Sequence, residues 1–184
     1  MKTVYFVRHG ESEANVDQIM AGGEFESPLT DRGKSQAKAT GKSLKDKNID
    51  VIVSSPMERT RDTAKFIALE IGYDPEKIII DEDFIEVYNG YYSGKSYALR
   101  DQHIREGKLV ESIEHPDDVH KRVKRGLNRL GKLNGNSIVL VSHGATGRMV
   151  RAIAEDIPHH DFMSHERIGN TEIYKFTLDS TFAP

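Results

Sequence analysis

Two short apolar runs in this chain each end in a histidine followed by a glycine, and this repetition constrains the fold more than any other feature. Val4-Tyr5-Phe6-Val7 is β-branched and aromatic, the pattern of a buried strand, and it leads into Arg8-His9-Gly10. Ile138-Val139-Leu140-Val141 leads through Ser142 into His143-Gly144. Gly10 is expected to let the chain turn sharply where the first strand stops. Arg8 and His9 are then presented together at a strand's carboxyl end. A fixed cation beside an imidazole suits an anionic substrate attacked by neutral histidine. It does not suit a bound metal cation, which Arg8 would repel.

Between these runs, strand and helix patterns alternate. Val51-Ile52-Val53 reads as a strand closed by Ser54-Ser55-Pro56, Lys77 to Ile80 as another, and Thr171 to Leu178 as the last. Thr30 or Asp31 can cap a helix with the stripe Ala37, Gly41 and Leu44. Further helical stripes are Ala64, Ile67, Ala68 and Ile71, then Val119, Val123, Leu127 and Leu130, then Met149, Val150, Ile153 and Ile157. Pro116 at a first helical position, with Asp117 and Asp118 in the first turn, starts the second of these three helices. Glu11 to Leu29 reads as a loop with one helical turn, and Asp81 to Lys108 as a glycine- and tyrosine-rich loop followed by a helix. Alternation of this kind implies an α/β fold, a mostly parallel sheet covered on both faces. Ligands of such sheets gather outside the carboxyl ends of the strands. Arg8-His9, Ser54 to Arg61, and Ser142-His143 all arrive there.

The chain has 184 residues, which suits a single domain over 1–184. No cysteine is present, so disulfides, thiolate catalysis and cysteine-based metal sites are excluded. No apolar run reaches the roughly 18 residues of a membrane span, and Met1-Lys2-Thr3 leaves no room for a signal peptide before the first strand. A cytoplasmic protein is expected. The net charge of −3 is too balanced to argue for nucleic acid, so any anion site must be a local concentration of positive charge.

Four ordered motifs carry a resemblance. They are Arg8-His9-Gly10-Glu11-Ser12-Glu13-Ala14-Asn15, then Pro28-Leu29-Thr30-Asp31-Arg32-Gly33-Lys34-Ser35-Gln36-Ala37, then Ser54-Ser55-Pro56-Met57-Glu58-Arg59-Thr60-Arg61-Asp62-Thr63-Ala64, and lastly Ser142-His143-Gly144. Together they resemble the histidine phosphatase superfamily, also called phosphoglycerate mutase-like, across nearly the whole chain. The resemblance implies a three-layer α/β/α fold and metal-independent phosphoryl transfer through a phosphohistidine. His9 would be the nucleophile, and Arg8 and Arg59 would hold the phosphoryl oxygens. Arg61 competes with Arg59, although residues two apart on a helix face different ways. His143 would add a donor, with the amides of Gly144 and Ala145 at a helix start helping to bind an anion. Asn15 would either bond phosphate or pin its loop.

A carboxyl group must protonate the leaving oxygen and later deprotonate water. In Glu86-Val87-Tyr88-Asn89-Gly90-Tyr91-Tyr92-Ser93-Gly94 the glutamate and glycines fall where the family has them, so Glu86 is the choice. Tyr92 and Ser93 replace a common tryptophan and a frequent acidic residue. Glu11 and Glu13 are read as facing solvent or tying the loop. The segment from Glu86 to Ile138 is short for a mutase, whose family members usually carry a covering insertion, so a phosphatase with an open pocket is expected. The resemblance implies no cofactor, and a small phosphorylated metabolite or a phosphoprotein as substrate. A phosphoglycerate mutase, a phosphohistidine protein phosphatase and a catalytically silent phosphate-binding module are the alternatives. A zinc hydrolase built on His9, His143 and Glu86 has the right ligand types, and the two arginines oppose it.

Two clusters stand outside this scheme. His159-His160-Asp161 invites a metal reading, but adjacent side chains at a helix exit are not expected to converge. Lys121, Arg125, Arg129 and Lys132 form a stripe read as solvated surface rather than a docking patch. Oligomeric state is not legible.

Overall fold

The computed structural model describes residues 1–178. Five strands form one sheet: β1 (Lys2–Arg8), β2 (Val51–Ser54), β3 (Ile79–Ile80), β4 (Ser137–Ser142) and β5 (Ile173–Leu178), in the spatial order β3-β2-β4-β1-β5. Three pairings are parallel, and β5 runs antiparallel to β1 at one edge. The helices are α1 (Glu13–Val16), α2 (Asp31–Leu44), α3 (Glu58–Ile71), α4 (Tyr97–Arg105), α5 (Pro116–Lys132) and α6 (Gly144–Ala154).

Alternation along the strands sorts the core into two halves. Val4, Phe6, Ile138 and Leu140 meet Val123, Leu127, Met149 and Val150 of α5 and α6. Val7, Ile52, Val139 and Val141 meet Leu44, Ala64, Ile67 and Ala68 of α2 and α3. Because both faces are covered, β4 is a continuous apolar run rather than an alternating one. No described helix is long and apolar enough to cross a membrane.

Several boundaries differ from the sequence reading. Lys77 belongs to a 3₁₀ turn, Pro75–Lys77, capped by the Asp74 side chain, so β3 shrinks to two residues. A two-residue edge offers little unpaired backbone to another chain. Thr171 sits at φ 57°, in the left-handed region that no strand continues, so β5 begins at Ile173. Asp156, at φ 53°, ends α6 in the same way and leaves Ile157 beyond the helix. The stripe on α5 is not simply solvated: Arg125 Nε donates to Asp83 at 3.0 Å and Arg129 Nε donates to Asp81 at 3.0 Å.

Thr30 caps α2, its hydroxyl accepting the Gly33 N–H at 3.0 Å and donating to Glu11 Oε1 at 2.9 Å. Glu11 therefore ties the loop, as read. Gly10 is not the sharp turn expected from its sequence position, since the chain passes through residues 9–11 with neither turn nor bend. A Cβ there would meet the Gly33 carbonyl oxygen at 2.5 Å, and a Cβ on Gly33 would overlap the Glu11 carbonyl oxygen. The start of α2 thus rests directly on the loop after β1, backbone to backbone.

Gly131, in contrast, has open space around its Cβ position and lies within a helix. Gly33→Ala is expected to lose about 1–3 kcal/mol of unfolding free energy through overpacking. Gly131→Ala is expected to gain about 0.5–1 kcal/mol from helix propensity. Urea denaturation of the two variants checks the opposite signs.

Candidate active site

The parallel register of β1 and β4 places Arg8 opposite Ser142. One residue further on, His9 and His143 lie side by side, with ring centroids 5.3 Å apart. Beside them, β2 pairs with β4 so that Ser54 lies opposite Val141, and Ser55 Oγ reaches His143 Nε2 at 2.7 Å. Three strand ends therefore build one floor.

His9 is buried, and its Nδ1 lies 2.7 Å from the Gly10 carbonyl oxygen. A carbonyl oxygen only accepts, so Nδ1 carries the hydrogen and Nε2 keeps its lone pair. The His9 carbonyl accepts from Asn170 Nδ2 at 2.9 Å, and the Gly10 N–H donates to Thr63 Oγ1 at 3.0 Å. These bonds fix the loop on both sides of the ring. Burial, then the charges of Arg59 and Arg8, push the His9 pKa well below its ordinary value. Burial, Arg59 and His9 do the same to His143. Both rings are therefore neutral near pH 7 unless an anion offsets those cations.

Arg8 is almost fully buried and donates through Nη1 to the Ile168 carbonyl at 3.1 Å. Burial, with Arg167 nearby, lowers its pKa to about 10, so it stays charged at neutral pH. Arg59, in the first turn of α3, is 2% exposed. Its Nη2 and Nη1 donate to the carbonyls of Gly22 and Phe25 at 2.7 and 3.2 Å. Arg61, two residues on, is exposed and lies outside the cavity. Of the two arginines, Arg59 is the one that lines the cavity.

These groups open into a cavity of about 680 Å³, whose lining includes Arg8, His9, Asn15, Arg59, Glu86 and Gly144. Asn15 serves its loop through Oδ1, which accepts from the Ser12 N–H and from Asn170 Nδ2 at 3.1 Å. Glu86 sits at the amino end of α6. Its Oε1 accepts the N–H groups of Thr146 at 2.9 Å and Val87 at 3.0 Å, and its Oε2 accepts that of Ala145 at 3.2 Å. This corrects the reading of Ala145 as an anion donor, because its amide is already engaged by a carboxylate. Gly144 remains at the wall, where an added Cβ would come within 3.4 Å of Arg8 Nε.

Several residues escaped the sequence reading. Arg122, on the buried side of α5, donates to the carbonyls of Asp83 and Ile85 at 2.9 and 2.7 Å. It also forms a two-pronged pair with Glu114 at 2.8 and 3.0 Å. The segment carrying Glu86 is thereby held to α5, and Ser142 Oγ at the end of β4, donating to the Phe84 carbonyl at 2.7 Å, holds it to the sheet. Arg100, Arg148 and Arg167 also line the cavity. The Nε atoms of Arg8, Arg100 and Arg148 are buried with no partner among the described residues. The only available signal was the excess of arginine after residue 97, which has no period or motif.

The family model of the histidine phosphatase superfamily (branch 1) matches residues 4–182. The chain belongs to this superfamily. It is 32% identical over 172 residues to the probable phosphoglycerate mutase GpmB of Photorhabdus laumondii, covering 87% of this chain and 78% of that protein. It is 31% identical over 146 residues to the uncharacterized phosphatase PhoE of Bacillus subtilis, covering 79% and 73%. The mycobacterial glucosyl-3-phosphoglycerate phosphatase solved with VO3 superposes with a TM-score of 0.83 at 23% identity, covering 95% of this chain and 92% of that one. The α/β architecture with a sheet between helix layers is thus that of the superfamily, whose members here carry both phosphatase and mutase names.

Neutral burial of two histidines makes stability depend on pH. A histidine whose folded pKa lies below the ordinary 6.5 adds nothing above that pH. As the pH falls below about 6.5, the unfolded chain binds protons that the folded chain refuses, so stability is lost, by up to about 1.4 kcal/mol per pH unit for each ring. Urea titrations at pH 7.5, 6.5 and 5.5 should show this fall, with a shallower slope in His143→Gln. Equal slopes would refute it.

Proposed function

We propose that this protein is a phosphatase that hydrolyses phosphomonoesters through a phosphohistidine on His9. The observation that carries the reading is the buried cluster in which His9, its Nε2 unprotonated, lines the cavity with Arg8 and Arg59 and has the His143 ring 5.3 Å away beside it. Nε2 attacks phosphorus, the ester P–O bond breaks, and the leaving oxygen takes a proton from the Glu86 carboxyl group. Water then attacks the phosphohistidine, gives a proton to Glu86, and releases phosphate as the P–N bond breaks. Arg8 and Arg59 hold the equatorial oxygens, where charge spreads in the transition state. An arriving phosphate dianion offsets the cations that keep His143 neutral, which lets that ring donate as well. The Oε2 of Glu86, with one amide contact against several at Oε1, is the oxygen left for proton transfer.

Arg100, Arg148 and Arg167 exceed what one phosphoryl group requires. They favour a small substrate carrying a second acidic group, such as a phosphorylated hydroxy acid. The names of the GpmB relative and of the mycobacterial phosphatase both contain a phosphoglycerate. The same arginines would serve a mutase, for which a second acidic phosphoester takes the place of water.

p-Nitrophenyl phosphate hydrolysis should vanish in His9→Ala, and rapid quench with labelled substrate should trap an acid-labile, base-stable adduct in the parent only. Arg8→Ala should cost about 2–4 kcal/mol in kcat/KM. Incubation with 3-phosphoglycerate, followed by phosphorus NMR, should show free phosphate growing in rather than 2-phosphoglycerate. Equal activity in His9→Ala would sink the mechanism, and net isomerisation would assign the mutase reaction instead.

A further inference from the structure

Four of the eight histidines gather around one carboxylate at the rim of the cavity, away from His9. His159 Nε2 lies 2.7 Å from Asp117 Oδ1, and His160 Nδ1 lies 3.7 Å from the same oxygen. The three ligand atoms all fall within 4.8 Å of one another. The sequence reading held that the neighbouring histidines would not converge. They do, with ring centroids 4.2 Å apart, and they meet on Asp117 of α5 rather than on Asp161. His120 stacks on the His159 ring at 4.2 Å, and the His115 Nδ1 accepts the Asp117 N–H at 3.2 Å.

We propose that Asp117, His159 and His160 form a binding site for a divalent transition metal, with Zn²⁺ the best fit. Two imidazoles and one carboxylate are ligands that Zn²⁺ takes at about 2.0–2.2 Å, which places ligand atoms about 3.4 Å apart in a tetrahedron. The observed separations of 2.7 and 3.7 Å bracket that spacing. A hard ion such as Mg²⁺ prefers oxygen ligands and is disfavoured here. His115 accepts the Asp117 N–H and so fixes the backbone at the start of α5 from outside the ligand set. The fourth position is left to water.

Such an ion joins two separate segments of the cavity wall. His115 and Pro116 at the start of α5 line the cavity, as do Phe162 and Met163 just after the histidine pair. Metal binding therefore stiffens this wall without entering the phosphoryl chemistry at the floor.

Titration of tag-free protein with Zn²⁺ by calorimetry should give one saturable equivalent per chain. His160 is largely exposed, so His160→Ala should fold normally and bind at least tenfold more weakly, as should Asp117→Asn. Co²⁺ should give the ligand-field absorption of a four-coordinate site in the parent and not in these variants. Hydrogen exchange between Ile157 and Arg167 should slow with Zn²⁺ only where the ligands are intact. Absence of a saturable equivalent overturns the site. So does equal affinity in the parent and His160→Ala, or loss of the equivalent in His9→Ala, which would move the metal to the cavity floor.

Discussion

The register of one parallel strand pair underlies the rest of this molecule. β1 and β4 are far apart in sequence, yet Arg8 lies opposite Ser142, so two histidines one residue beyond emerge at the same level. A slip of one residue would turn every side chain on the strand to the other face. It would also separate the rings and pull Ser55 away from His143. The apolar side chains on both faces of β4 prevent that slip, because each is matched to a different helix layer. Core packing and site geometry are thus one constraint seen from two ends.

Holding arginines and histidines in a buried floor has a cost that the surrounding backbone offsets. Arg8 and Arg59 donate to carbonyls of loops that are not in regular structure, and those loops gain partners they would otherwise lack. The histidines avoid the charge penalty by staying neutral. Glu86 is oriented by the first amides of α6, while Arg122 ties down the preceding carbonyls. Positive groups directed into the cavity stand in a chain whose net charge is negative, so the anion site is made by local arrangement and not by composition.

Much of the fold was legible in order. The strand after Lys2, the cap at Thr30, the Pro116 helix start and the apolar stripes all depend on local periodicity and capping, which act over a few residues. Two boundaries differ at left-handed residues with a side chain, Asp156 and Thr171, and a third at the Asp74-capped 3₁₀ turn before β3, none of which a hydrophobic pattern reports. Gly10 was read as a turn, whereas its role is to admit the backbone of Gly33 from a distant helix. Helix geometry argues against convergence of His159 and His160, and the partner that gathers them, Asp117 on α5, lies some forty residues away in sequence.

From residue order alone came the α/β class, the family, and the residues Arg8, His9, Arg59, Glu86 and His143, because short motifs hold their spacing in one dimension. Strand order, the antiparallel edge at β5, the exposure of Arg61 outside the cavity, and the engagement of the Ala145 amide by Glu86 came only with the tertiary structure. So did the gathering of Arg100, Arg148 and Arg167 around the cavity. The division follows from the range of the forces. Propensity and periodicity are written in neighbouring residues, whereas contacts between a helix start and a loop dozens of residues away exist only after the sheet has brought them together.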